Sequence, residues 1–144
     1  MTAGGSNWES DFPMRDEVED FLGRKRVFLI SCYDGPLGFT VQAEEEGADG
    51  NGYLFRAFSE TSPYSALYRL RVKMHRAIAT RYLSASPGAH SMLHDRVRGR
   101  ITTDGDRGVL LVVDGIPLDM DELANILETH EGWEFELRIR DALK

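Results

Sequence analysis

His90, His94 and Asp95 come nearest to metal chemistry in type and spacing, because histidines four apart would offer neighbouring imidazoles to one ion if their segment were helical. The surrounding Ser, Pro and Gly favour a loop, and no third strong ligand has a place fixed by sequence, so no metal is expected. Asp104-Gly105-Asp106 resembles the opening of a calcium loop. Val109, however, stands where that loop needs glycine, and Gly115 where it needs a bidentate glutamate. Cys32 lies among apolar residues in a strand pattern, with no histidine or basic helix terminus placed beside it, and reads as a structural thiol rather than a nucleophile. His75 falls within a helical pattern and His130 ends another, where a helix-surface or dipole role outweighs acid–base chemistry. The glycines at 35, 38, 47, 50, 52, 105 and 108 are turn glycines, since none sits between a strand and a helix at phosphate-loop spacing. Hence no catalytic residue and no cofactor is nominated. An enzyme would need a pocket that brings distant groups such as His94, Asp95 and Glu60 together, and the sequence fixes no such convergence.

Charge segregation is the stronger signal. The chain carries a net charge of -7, yet residues 63 to 107 hold nine Lys and Arg against three Asp and Glu. Within them, Arg69, Arg71, Lys73, Arg76 and Arg81 fall in a helical stretch, Pro63 to Leu83, that has no acidic residue, while Arg96, Arg98 and Arg100 follow at strand spacing on one side. Two readings compete. Arg69, Lys73, Arg76, Arg96, Arg98 and Arg100 could bind successive phosphates, with Tyr64 or Tyr68 stacked on a base. Alternatively the domain's own acidic remainder neutralises them. The arginine strand would then lie beside a terminal strand whose Glu134 and Glu136 pair with it, and the helix would meet the Glu44-Glu45-Glu46 loop or an acidic first helix. The second reading is favoured, because a nucleic-acid domain more often shows a clear positive excess.

These residues need elements to position them. At 144 residues the chain is about one domain long, and its 42% hydrophobic and 28% charged content fits a folded chain with a core of its own. We expect a flexible tail over 1–10, docked if at all by Trp8, and a single domain over 11–144. Met14, Val18, Phe21 and Leu22 predict a short acidic helix stopped by Gly23. Arg26 to Tyr33 reads as an interior strand covered on both faces, Phe39 to Ala43 as a peripheral strand with one wet face, and Tyr53 to Phe58 as a third strand. Ser62 followed by Pro63 opens the long helix, whose stripe is Leu67, Leu70, Met74, Ile78 and Tyr82. A loop over 84–91 precedes a hairpin of Val97 to Thr102 and Val109 to Val113. Asp119 and Glu122 then form a capping box for a third helix ended by Gly132. A last strand, Trp133 to Arg140, points Phe135, Leu137 and Ile139 inward. The order α-β-β-β-α-β-β-α-β predicts an α+β fold with a mostly antiparallel sheet of about six strands, one long helix and two shorter ones.

Val97-Arg98-Gly99-Arg100-Ile101, Leu111-Val112-Val113-Asp114-Gly115, Asp121-Glu122-Leu123 and Glu131-Gly132-Trp133-Glu134-Phe135-Glu136-Leu137 resemble, in order and spacing, a bacterial domain of unknown function. A segment similar to Gly52-Tyr53-Leu54-Phe55 precedes a basic helix there too, so the resemblance covers roughly residues 35 to 140. Many members carry a cysteine-rich zinc-ribbon-like segment ahead of the domain. This chain has the single cysteine Cys32, and nothing is carried over from that appendage. The resemblance implies no activity and supplies no catalytic residue. The lone cysteine and the lack of a long apolar run lead us to expect a cytoplasmic protein without membrane contact. Its expected role is that of a small binding or regulatory module for an unidentified protein partner or a second copy of itself, ahead of a nucleic-acid or anion-binding domain.

Overall fold

The computed structural model describes residues 8–86 and 89–143, so the first seven residues of the expected tail, Pro87 and Gly88 of the expected 84–91 loop, and Lys144 lie outside it. Helix α1 (Trp8–Asp11) leads into a four-stranded antiparallel sheet, β1 (Met14–Glu19), β2 (Lys25–Gly35), β3 (Gly38–Glu45) and β4 (Leu54–Ser59), in sequential order. The long helix α2 (Pro63–Ile78) packs on one face of it. A two-stranded hairpin, β5 (Leu83–Ser86) with β6 (Ala89–Met92), follows. A three-stranded antiparallel sheet, β7 (Arg100–Asp104), β8 (Gly108–Val113) and β9 (Ile116–Asp119), then leads into α3 (Met120–Glu128). The class is α+β with antiparallel pairing, one long helix and two shorter ones, and the strands divide among three sheets.

Strand register explains the first core. Asp16 lies opposite Phe28, Ile30 opposite Ala43, and Val41 opposite Ala57, so these side chains share one face. Against them α2 lays Ala66, Leu67, Leu70, Met74 and Ile78, all buried, and Ser62 caps the helix by accepting from the Tyr64 N–H at 3.1 Å. The other face is wet: Leu29 and Tyr33 are exposed there. Trp8 docks edge-on against Phe12 and Phe39, with ring centroids 6.3 Å and 5.7 Å apart. The second core is smaller, formed by Leu83, Val113, Leu118 and Ile126.

Several expected elements differ. Residues 14 to 19 form β1 instead of a helix. Met14 and Val18 are four apart, which is one helical turn but also two strand repeats, and the six-residue register with β2 decides between them. Gly23, at φ +78°, serves the β1–β2 turn, where Asp20 N–H donates to the Arg24 carbonyl at 2.8 Å. β2 is central but covered on one face only, and β3 is interior, paired on both sides. α2 ends at Ile78, so Arg81 and Tyr82 lie beyond it, and the expected 84–91 loop is the β5–β6 hairpin. β9 occupies residues expected as turn and cap. The Asp119–Glu122 capping box is present in both directions. Trp133 to Arg140 forms no strand: it carries no regular structure, and its apolar residues are exposed.

Asp20 ties the β1–β2 end together. Its inaccessible carboxylate accepts from the backbone N–H groups of Leu22 and Arg24, both at 2.9 Å, and from Arg26 Nε at 3.0 Å, while Arg26 Nη1 reaches Glu45 at 2.7 Å. Burial disfavours the Asp20 charge. The two N–H groups and the Arg26 guanidinium outweigh it and hold the carboxyl below its ordinary value. A carboxyl with a depressed folded pKa stabilises the fold above its unfolded value and loses that contribution as pH falls through the folded one. We therefore expect Asp20→Asn to lower unfolding free energy by about 3 kcal/mol at pH 7, leaving Arg26 with an incomplete partner set. Its stability should also fall less steeply than the parent's below pH about 4, as urea titrations at several pH values would reveal.

Candidate functional site

The basic residues singled out by sequence do not share one fate. β4 is an edge strand, and an edge must find partners for its outward carbonyls. The Tyr53 carbonyl accepts from Glu45 N–H at 3.1 Å, so odd-numbered carbonyls of this stretch face β3 and even-numbered ones face away. Two of the outward carbonyls of β4, and two in the loop before it, are taken by cations. Arg69 Nη1 donates to the Phe58 carbonyl at 2.9 Å, and Lys73 Nζ to the Arg56 carbonyl at 2.9 Å. Arg100 donates to the Gly52 carbonyl through Nε at 3.1 Å and Nη2 at 2.7 Å, and to the Gly50 carbonyl. Four helical residues rise about 6 Å and two strand residues about 6.8 Å, so donors four apart on α2 keep step with alternate carbonyls of β4. The next position on that helical row is Ala77, which carries no donor.

Arg71 turns elsewhere, with Nε at 2.8 Å and Nη2 at 3.0 Å from the two Asp16 oxygens. That bidentate pair is the one meeting of α2 with the acidic residues expected of a first helix, made here with a strand. Glu45 and Glu46 are not partners of α2: they pair with Arg26 and Arg15. Tyr64 donates from its hydroxyl to Asp11, and Tyr68 is exposed. The side chains of Arg76, Arg96 and Arg98 make no ion pair or hydrogen bond among the described residues and lie exposed. Arg96 and Arg98 precede β7, and neither approaches Glu134 or Glu136, because 133–140 has no pairing with that strand. Burial, then the nearby Arg140, pull the Lys73 amine below its ordinary value, with Asp141 opposing.

Residues not singled out from sequence join the two halves of the chain. Asp114, buried in the β8–β9 turn at φ 55°, accepts from the backbone N–H of Tyr82 at 3.0 Å and of Leu83 at 2.8 Å. Beside it Gly115, at φ +74°, lies so close to the Tyr53 ring that a Cβ would meet it at 2.9 Å. Tyr53 stacks on Phe55 at 5.7 Å and receives the Arg26 guanidinium 5.2 Å from its centroid. Burial, reinforced by the Asp114 charge, pushes the Tyr53 phenol well above its ordinary value. Asp-Gly signals the turn, but nothing local in sequence says that its carboxylate reaches back some thirty residues.

Among the described residues no three of His, Cys, Asp and Glu cluster as metal ligands would. Cys32 is half-buried on β2, and burial followed by Asp34 pushes its thiol up, away from the reactive thiolate. An open hollow lined by Asp106, Arg107, Asp119, Met120 and Asp121 is crossed by Arg107, which pairs with Glu122 at 2.8 Å and Asp119 at 3.5 Å. No described helix is long and apolar enough to cross a membrane.

Family models divide the chain where the two sheets divide. Residues 10–79 match a domain of unknown function (DUF7686), and residues 82–144 match a second domain of unknown function (DUF7713). Each half thus resembles an uncharacterised domain family. The boundary falls just after α2, so one match takes in the four-stranded sheet with its helix, and the other the β5–β6 hairpin, the three-stranded sheet and α3. Nothing among curated proteins or solved structures matches the chain.

The C-terminal stretch completes the picture. Trp133, Phe135, Leu137 and Ile139 are 69%, 89%, 76% and 69% exposed. Among the described residues, the backbone of 134–140 makes no hydrogen bond, and beyond it the Ala142 carbonyl accepts from Lys73 Nζ at 3.0 Å.

If Lys73 serves the β4 edge and the C-terminal stretch while Arg76 points to solvent, their removal should differ. Lys73→Met is expected to lower unfolding free energy by about 1 kcal/mol, and Arg76→Met to change it by less than about 0.5 kcal/mol. Denaturant midpoints of the two variants would test the contrast.

Proposed function

We propose that this protein is a small cytoplasmic binding module, working as one unit, that engages another protein by adding the 133–140 segment as a β-strand. The observation that carries this reading is the exposure of four large apolar side chains on a segment of strict strand alternation. Its other side holds Glu134, Glu136, Arg138 and Arg140. Strand addition supplies what such a segment lacks: main-chain partners for its N–H and C=O groups and a surface for its alternate side chains. The lone cysteine, Cys32, supports a reducing compartment.

The anion-binding alternative has less support. Arg69, Lys73 and Arg100 already donate to carbonyls and Arg71 to Asp16, which leaves Arg76, Arg96 and Arg98 for phosphate. Three dispersed cations on an acidic chain give a weak electrostatic footprint. Fluorescence-anisotropy titration of short single- and double-stranded DNA and RNA at low salt should show no saturable binding. Saturation that weakens with salt and disappears in Arg76→Glu/Arg98→Glu would reverse the order of the two readings.

The strand reading has its own test. Because Phe135 and Leu137 touch little of the fold, Phe135→Asp/Leu137→Asp should keep the parent's midpoint to within about 0.5 kcal/mol. It should also lose whatever association the parent shows. Collapse of the fold in this variant would place the segment in the domain's own core and end the proposal.

A further inference from the structure

Resting on the reading of 133–140 as a donated strand, we infer that its acceptor is the β7 edge of a second copy of this chain. β7 is an edge of the three-stranded sheet, and its two faces differ in kind. Ile101 lies opposite Leu111 and Thr103 opposite Val109, so odd-numbered residues share the face of Leu111, Val113 and Leu118, which α3 covers at the β9 side. At the β7 side that face is open: Ile101 is 57% exposed, and Val109 and Val97 are exposed too. Arg100, opposite Val112, belongs to the other face, and Arg96 and Arg98 share its parity in the stretch that leads into β7.

The segment 133–140 has the complementary division by the same parity. Trp133, Phe135, Leu137 and Ile139 fall on one side, Glu134 and Glu136 on the other. Arg138 and Arg140 share the side of Glu134 and Glu136, so a pairing of odd residues beside odd ones sets apolar against apolar, while only some offsets also set acidic against basic. One antiparallel register does so best. It places Glu136 opposite Arg98, Glu134 opposite Arg100, whose guanidinium is held by the Gly50 and Gly52 carbonyls, Trp133 opposite Ile101, and Phe135 opposite Gly99.

The occupant is a second copy for two reasons. One chain carries both the unpaired strand and the open edge, so two copies satisfy each other through a closed two-fold exchange with no third component. The chain's own segment, meanwhile, is held toward the first half, where Lys73 bridges the Ala142 carbonyl and the Arg56 carbonyl of β4. Folding back onto its own β7 would compete with that contact.

Two Cys32→Ser proteins test this, one carrying Ile101→Cys and the other Trp133→Cys, mixed under mild oxidation, because paired antiparallel residues lie within disulfide reach. We expect a covalent heterodimer from the mixture, and light scattering of the parent at twice the 16.2 kDa monomer mass. Glu136→Arg should weaken the dimer at least tenfold, and Arg98→Glu/Glu136→Arg should restore it. A monomeric parent with no crosslink overturns the inference. So does a disulfide formed only within a chain bearing both cysteines, which would mean fold-back. In both cases the strand-donor reading stands or falls separately, on whether Phe135→Asp/Leu137→Asp stays folded.

Discussion

An antiparallel sheet that stops must do something with the backbone groups of its last strand, and much of this molecule follows from how β4 stops. Its outward carbonyls meet Arg69 and Lys73 from α2, and those of Gly50 and Gly52 in the loop that leads into it meet Arg100 from the β7 strand of the other half. Long cationic side chains suit this task because each can lie along the helix surface with its stem while its head satisfies an acceptor. The basic character of α2, conspicuous in an acidic chain, thus has a use within the fold. It blunts one edge against unwanted strand pairing, and it ties the first sheet to the second half through Arg100.

The two halves meet through a small set of polar contacts and one aromatic surface. Asp114 holds the chain where it leaves α2 for β5, Gly115 admits the Tyr53 ring, and Arg26 lies over that ring while bound to Asp20 and Glu45. Such contacts fix geometry through direction more than through buried apolar area, and the main cluster of the second half gathers four buried residues, with Leu110 and Val112 buried apart from it. That modest core, with an open β7 edge and exposed apolar residues beside it, is what a further strand would complete.

Sequence revealed the elements whose signals are local. Ser62-Pro63, the Asp119–Glu122 box and the stripe Leu67, Leu70, Met74, Ile78 appear as expected, and the β7–β8 hairpin forms with β7 at Arg100–Asp104 rather than at Val97 to Thr102, because caps, turns and periodicity act over a few residues. Met14 to Val18 misled because a spacing of four fits both a helix and a strand, and the choice was made by pairing with β2. The alternation of Trp133 to Ile139 was legible, yet among the described residues no strand pairs with it and it carries no regular structure. Carbonyl capping by Arg69, Lys73 and Arg100 left no trace in sequence, since any carbonyl can accept and only the fold says which are left outward. The pairing of Arg71 with Asp16 was half legible: the acidic region was right, but the strand that presents it was not.

A chain that guards one edge and leaves another open, while displaying an exposed segment of alternating apolar residues, differs physically from a chain whose surface is saturated. Amide hydrogen exchange measured across a range of protein concentrations tests that difference most directly, because amides gain protection only when their hydrogen bonds form. The account expects the amides of 134–140 and of the β7 edge to exchange fast when dilute and to become protected together as concentration rises, while β2 and β3 remain protected throughout. Fast exchange of 134–140 at every concentration, or strong protection of it in the dilute monomer, would contradict the account.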